Sequence, residues 1–187
     1  MNDRMPPLAD ADMNAAQKAA AAALIAGPRK GVVGPFIPLL RSPDLMDRMQ
    51  RVGEYLRFNT SIEAKLNEFA ILITARHWTN HFEWAIHYPL AMKGGVSKQT
   101  LDALAEGRRP GAMAGDEALV YDFATELLVN HGVSDATYAR VRDALGEQGV
   151  IDLTCMVGYM ASVCMVMNVA HTPPPKGDVP PLPHLPL

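Results

Sequence analysis

Apolar residues recur at helical spacing along nearly the whole chain, and no run alternates apolar and polar positions as a half-buried strand does. Residues 12–25 are rich in alanine, and the glycines and proline of "GPRKG" stop this first helix. A second helix is predicted from Pro43 to about Phe58, because proline fits the first helical turn. The pattern predicts an all-α fold.

The next part of the chain, "NTSIEAKLNEFAILITA", predicts a third helix with Thr60 and Glu63 in capping-box positions. This helix either continues through the polar segment 76–95 or breaks near Thr79. In the second case a fresh helix starts at Asn80 and ends at the glycine pair 94–95. The remaining apolar periods predict helices over 97–106, 116–130, 134–145 and 150–170.

Two proline-rich segments are predicted to be non-helical. The loop "GPRKGVVGPFIPLL" is more apolar than a disordered linker, so it is expected to be ordered by packing. The tail, residues 172–187, is expected to lie extended over the domain or over a neighbouring subunit. A chain of 187 residues with these elements is expected to form one domain over 1–187.

Composition narrows the class of protein. A formal charge of −3 and a pI near 6.0 argue against general nucleic-acid binding. The N-terminus lacks the features of a secretory signal, which predicts a cytoplasmic protein. Residues 150–170 are long enough to span a bilayer, but polar residues interrupt them, which favours a buried helix and no membrane partner.

The two cysteines, Cys155 and Cys164, both fall in the apolar helix 150–170. At about 100° per residue they lie on opposite sides of that helix, so they cannot pair with each other within it. No Cys-x-x-Cys motif occurs, and dithiol redox chemistry therefore has no obvious reagent.

Candidate chemistry is concentrated in "RHWTNHFEWAIHYPLAMKGG", residues 76–95. On a helix, Asn80, Glu83 and His87 stand at i, i+3 and i+7 and project within roughly one 60° sector. Glu83 and His87 form an i, i+4 pair in which the carboxylate can orient the imidazole or raise its pKa. Such a pair is suited to proton transfer near neutral pH.

Other interpretations of the same residues remain open. Asn80 and Glu83 also match a capping box that ties down a helix start, and His87 also suits a core or interface position. His77 and His81 have the i, i+4 spacing of two metal ligands on a continuous helix. No third ligand stands at a recognised spacing, so no metal and no cofactor are predicted.

The segment "NEFAILITARHWTNHFEWAIHYPLAMKGGVS" resembles the central motif of the carboxymuconolactone decarboxylase and alkylhydroperoxidase D superfamily. That motif has a glutamate in an apolar helix, two polar sites twelve and fifteen residues later, and a histidine four residues beyond. Glu68, Asn80, Glu83 and His87 fall at these positions. The resemblance extends over "PDLMDRMQRVGEYLRFN" and over much of the chain after residue 115.

The resemblance implies an all-helical, alkylhydroperoxidase D-like domain that assembles as trimers or hexamers, with sites near subunit contacts. In the peroxidase branch the two polar sites are cysteines. Here they are Asn80 and Glu83, which can form neither a thiolate nor a disulfide, so a thiol peroxidase is not expected.

The other branch of the superfamily implies a lyase or isomerase that needs no cofactor and acts on a small unsaturated acid or lactone. His87 would then be the general acid or base and Glu83 its orienting partner or a second base. Asn80 would donate to a substrate oxygen, and Glu68 would be a second proton carrier. A hydrolase or hydratase acting on a lactone or pyrone, and a helical binder without catalytic activity, remain alternatives.

An anionic substrate requires cationic partners, because a guanidinium binds a carboxylate through two parallel hydrogen bonds. Candidates are Arg57, Arg76 and the pair 108–109, with His81 as a further substrate-binding residue. Arg76 is favoured, since on a continuous helix it lies within about 40° of Asn80. Eleven methionines, the apolar helix 150–170 and the proline-rich tail also predict a homo-oligomer.

Overall fold

The protein is all-α in the part that the computed structural model describes, residues 2–183. No strand occurs there, and a short 3-10 turn over Asp10–Asp12 precedes the first helix. The helices are α1 Ala15–Ala26, α2 Phe36–Leu39, α3 Pro43–Phe58, α4 Ala64–His77, α5 His81–Gly94, α6 Lys98–Ala105, α7 Gly115–Asn130 and α8 Asp135–Ala170. The predicted all-α class is thereby confirmed.

Local capping explains where the first helices begin. The Asn14 side chain accepts from the Gln17 amide while the Gln17 side chain accepts from the Asn14 amide, so α1 begins with a capping box. It therefore starts three residues after the predicted residue 12. The predicted α3, which starts at Pro43, has the expected limits.

The capping box predicted at Thr60 and Glu63 is wrong. Glu63 itself is the N-cap residue of α4, and its side chain makes no capping bond. The Thr60 hydroxyl instead donates to Asp152, a buried carboxylate on α8. Thr60 thus forms a hydrogen bond with a distant residue, Asp152, instead of the cap at the helix start that local spacing predicts.

The helix is interrupted between α4 and α5, which is one of the two predicted alternatives. Thr79 has a φ of 46°, a left-handed conformation that a continuous helix does not contain. The helix restarts behind Asn80, whose side chain accepts from the Glu83 amide, and it ends at Gly95 with a φ of 102°. The alternative of one continuous helix is wrong.

The two predicted helices 134–145 and 150–170 follow each other within α8 and are separated only by a kink. Gly146 is non-helical there, with a φ of 72°. Length and composition alone would allow α8 to cross a membrane, but half of its most apolar stretch is buried within the protein. That burial is typical of a core helix.

Helix α4 is the centre of the main core. Four consecutive side chains, Phe69 to Leu72, are fully buried, because α5, α7 and α8 cover this helix on several sides. A smaller cluster joins α1, α2 and α3 through residues such as Leu24, Phe36 and Met46. The segment that contains the prolines is therefore ordered by packing, as predicted. The prediction that it is non-helical is wrong for Phe36–Leu39, which form the short helix α2.

The C-terminal tail follows an extended path against its own domain up to residue 183. Leu182 is buried, and the Trp84 indole donates to the Pro180 carbonyl. Arg76 donates to the Pro183 carbonyl. The last four residues of the predicted tail, 184–187, lie outside the described part.

Asp152 joins α8 to the connection between α3 and α4. Its carboxylate accepts from the hydroxyls of Tyr55, Thr60 and Ser61 and from the Ser61 backbone amide. Burial alone would raise the pKa of Asp152, but these hydrogen bonds outweigh it and lower the pKa below its ordinary value of 3.8. The ionised form is therefore the one that the fold stabilises.

We expect Asp152→Asn to destabilise the protein by about 1–3 kcal/mol, because four donors lose a charged acceptor. Since the folded pKa is depressed, the stabilisation is present above pH 3.8 and is lost as the pH falls through the lower folded value. Urea unfolding at several pH values measures the difference. Asp143→Asn, an exposed carboxylate paired with Arg142, is the matched control and should change stability little.

Candidate functional site

His87 lies between two carboxylates at the centre of the candidate site. Its Nδ1 is 2.5 Å from Glu68 Oε2, and its Nε2 is 3.0 Å from Glu83 Oε2. The His87 side chain is only 2% exposed, compared with 7% for Glu83 and 17% for Glu68. A buried imidazole with an anionic partner at each nitrogen is arranged to hold and to transfer a proton.

The break at residues 78–80 brings these three side chains together. It lets α5 fold back against α4, so that Glu68 meets His87 although nineteen residues separate them. Within α5, Glu83 and His87 are one turn apart and face the same side. Glu68, Glu83 and His87 therefore converge, and their convergence depends on the packing of α4 against α5 rather than on one helix.

Asn80 caps α5 and does not face a ligand space. Its oxygen accepts from the Glu83 amide, and its nitrogen donates to the Cys164 carbonyl and to the Asn168 side chain. Both amide hydrogens are thus used within the protein, which leaves none for a substrate oxygen. The capping box is only half formed, because the Glu83 carboxylate turns to His87 instead of the helix start.

The environment raises the pKa of His87. Burial disfavours the charged imidazolium and would by itself lower the pKa below 6.5. The hydrogen bonds and negative charges of Glu68 and Glu83 outweigh that effect. His87 is therefore a proton carrier that stays charged to a higher pH than a free histidine.

A cavity of about 410 Å³ opens beside this group. Glu83 and His87 line it, whereas Glu68 lies behind the imidazole and does not. The remaining wall is mostly apolar, and its residues include Val33, Phe36, Ile37, Phe82, Ile86 and Val163. The size and the apolar wall fit a small organic molecule whose reacting atom meets the polar pair.

Three further polar residues line the same cavity: Arg29, Arg57 and Tyr159. Burial lowers the pKa of Arg29 and raises the pKa of the Tyr159 hydroxyl. Sequence reasoning named Arg57 but missed the other two. Arg29 stands in a loop recognised only as a helix stop, and Tyr159 is a lone polar group in an apolar helix.

The other predicted substrate-binding residues lie away from this cavity. Arg76 and His77 line a separate depression between α4 and α7, and His81 lines a third one beside the tail. Arg108 and Arg109 pair with surface carboxylates, Glu106 and Asp122. Arg76 does not share a helical face with Asn80, as predicted for a continuous helix, because α4 ends between the two residues.

The same break separates His77 from His81, so they do not form a helical i, i+4 pair. Among residues 2–183, no group of three or more histidine, cysteine or acidic side chains could hold a metal ion. Both cysteines are free, and burial strongly raises the pKa of Cys164. That thiol is therefore a poor source of thiolate.

Comparisons with known proteins give no match: no family model, no curated protein and no solved structure aligns with the chain. The chemistry must therefore be argued from the site itself. Its geometry defines a class of site, a buried acid–base group at the wall of an apolar cavity, with two guanidinium groups close by.

We expect Glu68→Gln and Glu83→Gln each to lower the pKa of His87, because an amide removes the charge that favours the imidazolium. Proton NMR titration of the imidazole resonances measures this. Glu106→Gln, which removes a surface carboxylate, is the control. An unchanged His87 pKa in both site variants would contradict the assigned contacts.

The raised pKa also predicts how stability depends on pH. His87 stabilises the fold fully below the unfolded pKa of about 6.5, and this contribution is lost as the pH rises through the raised folded pKa. The stability difference between the wild type and His87→Gln should therefore shrink over that interval. Urea unfolding of both proteins from about pH 6 to about pH 9 measures the trend.

Proposed function

We propose that the protein is a lyase or isomerase that needs no cofactor and acts by proton transfer on a small unsaturated carboxylic acid or lactone. The observation that carries this proposal is the imidazole of His87, held between Glu68 and Glu83 at an apolar cavity. Such a site can move a proton to or from carbon while the apolar wall keeps water away.

The different exposures of Glu83, His87 and Glu68 suggest a route for the proton between the cavity and solvent. Glu83 lines the cavity, His87 is almost fully enclosed, and Glu68 is the most exposed of the three. In the proposed reaction Glu83 or His87 exchanges a proton with the substrate. His87 passes it between its two nitrogens, and Glu68 exchanges it with solvent.

For a β,γ-unsaturated lactone acid the steps balance without an external reagent. Carbon dioxide leaves, the electron pair of the broken carbon–carbon bond becomes a dienolate, and the site delivers one proton to carbon. An isomerase would use the same groups to remove a proton from one carbon and return it to another. Both reactions need a positioned group that can give a proton to carbon or take one from it.

We further propose that the chain is related to the carboxymuconolactone decarboxylases and lacks peroxidase activity. The spacing of Glu68, Asn80, Glu83 and His87 supports the relationship. The peroxidase cysteines have no counterpart at positions 80 and 83, and the buried Cys164 has a raised pKa. A cytoplasmic location is proposed with that relationship.

We expect His87→Gln and Glu83→Gln to lower turnover of lactone acids by about 10²- to 10⁴-fold, the range usual for losing a general acid or base. Glu68→Gln should have a smaller effect, because Glu68 does not line the cavity. Loss of substrate and release of carbon dioxide, followed by mass spectrometry and NMR in heavy water, measure the reaction.

The control for this experiment is Glu106→Gln, a carboxylate variant on the surface. Full turnover in both His87→Gln and Glu83→Gln would reject the assigned roles. Addition of one water without loss of carbon would instead identify a hydratase or hydrolase. Absence of turnover together with ligand binding would identify a binder without catalytic activity.

We also propose a homo-oligomer, a trimer or a hexamer. A shallow groove between α3 and α8 exposes apolar side chains, among them Val52 and Ile151, at 50% and 62% exposure. Its rim carries Arg51 and Glu147, charges of opposite sign that a copy related by a two-fold axis can pair. A hexamer contains such axes.

We expect the wild type to sediment as an oligomer at micromolar concentration and Ile151→Glu to dissociate it, because a carboxylate would be buried without a partner. Lys93→Glu, an exposed change at the end of α5, is the control. A wild-type protein that sediments as a monomer would contradict the proposed assembly.

A further inference from the structure

Two guanidinium groups line the cavity, and some of their nitrogen atoms have no partner in the part of the chain that the structure describes. Nε and Nη2 of Arg29 and Nε of Arg57 are buried and form no hydrogen bond with residues 2–183. Neither arginine is paired with a carboxylate among residues 2–183. Buried hydrogen-bond donors almost always have an acceptor. The three nitrogen atoms therefore require an acceptor from outside residues 2–183.

Packing against Gly53 holds Arg29 and Tyr159 close together. A Cβ at Gly53 would lie 2.2 Å from the Tyr159 hydroxyl and 2.8 Å from Arg29 Nη2. Both groups thus rest on the same bare stretch of α3, and the Arg29 guanidinium also stacks on the Phe36 ring at 4.7 Å. Donors placed in this way by packing are organised in advance for a ligand.

The charges in and around the cavity leave one positive charge in excess. Arg29, Arg57 and protonated His87 are cationic, and Glu68 and Glu83 are anionic. Glu54 also favours the charged form of Arg29, but its effect is smaller than that of Glu83, and no ion pair joins Glu54 to Arg29. A single carboxylate next to the arginines would neutralise the excess in a space of low dielectric constant.

We propose that Arg29, Arg57 and Tyr159 bind a carboxylate that the substrate retains through the reaction, while its apolar body fills the cavity. The part of this inference that concerns the reacting end, beside Glu83 and His87, rests on the proposed function. A guanidinium on a departing carboxylate would stabilise the ground state, so the bound carboxylate is not the one lost. A substrate that undergoes decarboxylation would therefore carry two carboxylates before the reaction. A substrate that is only isomerised would need a single carboxylate.

Benzoate, which joins one carboxylate to a small apolar body, is a suitable probe for isothermal titration calorimetry. We expect the wild type to bind benzoate more tightly than benzamide, its neutral analogue, and more tightly than inorganic phosphate. Arg29→Gln should weaken benzoate binding about tenfold or more, because charged hydrogen bonds are lost. Tyr159→Phe should weaken it less, and Arg29→Lys should restore part of the affinity.

Arg48→Gln is the matched control, since Arg48 is also an arginine, on helix α3, but is exposed and donates to the Asp44 carbonyl of its own helix. It should bind benzoate like the wild type. Arg29→Gln loses its stacking on Phe36, so without ligand it should melt only slightly below Arg48→Gln. Benzoate should raise the melting temperatures of the wild type and of Arg48→Gln, and it should raise that of Arg29→Gln much less.

Equal affinity for benzoate and benzamide, equal affinity for phosphate, or unchanged binding by Arg29→Gln would overturn the inference. A large loss of stability in unliganded Arg29→Gln would do the same, since it would assign Arg29 a structural role. The binding assay does not depend on turnover. Benzoate binding that needs Arg29, in a wild-type protein that turns over no lactone acid, would reject the proposed function and leave the carboxylate site standing.

Discussion

The contact between His87 and its two carboxylates is the constraint on which the site depends. A charged imidazole is costly to bury, and it remains charged here only because Glu68 and Glu83 each accept from one nitrogen. The contact requires α4 and α5 to pack side by side. The left-handed turn at Thr79 and the cap at Asn80 make that packing possible.

The polar groups of the cavity lie on separate parts of its wall. One part of its wall carries Glu83 and His87, and another carries two guanidinium groups that no carboxylate among residues 2–183 pairs with. The rest of the wall is mostly apolar. This separation suits a reaction in which one end of a molecule is held by charge while the other exchanges a proton.

The N-terminal part of the chain contributes more to this cavity than its composition suggests. The loop between α1 and α2 supplies Arg29 and several apolar wall residues, including Val33. Gly34 has a φ of 57° and lies so close to Phe82 that a Cβ there would be 2.7 Å from its ring. The loop therefore packs closely against α5. The cavity wall requires this loop to be ordered, because the loop supplies part of that wall.

The sequence by itself determined most of the helices and the pairing of Glu83 with His87. Helical periodicity, Pro43 and the i, i+4 spacing of that pair are local signals, and each depends only on neighbours a few residues away. Glu68 meets His87 only because α4 and α5 pack together. Tertiary structure decided which polar residues share a cavity. Arg29 and Tyr159 come from distant segments and meet over Gly53, whereas Arg76, favoured by helical spacing, is turned away by the break at Thr79. Local spacing cannot report a contact that only the packing of separate helices creates.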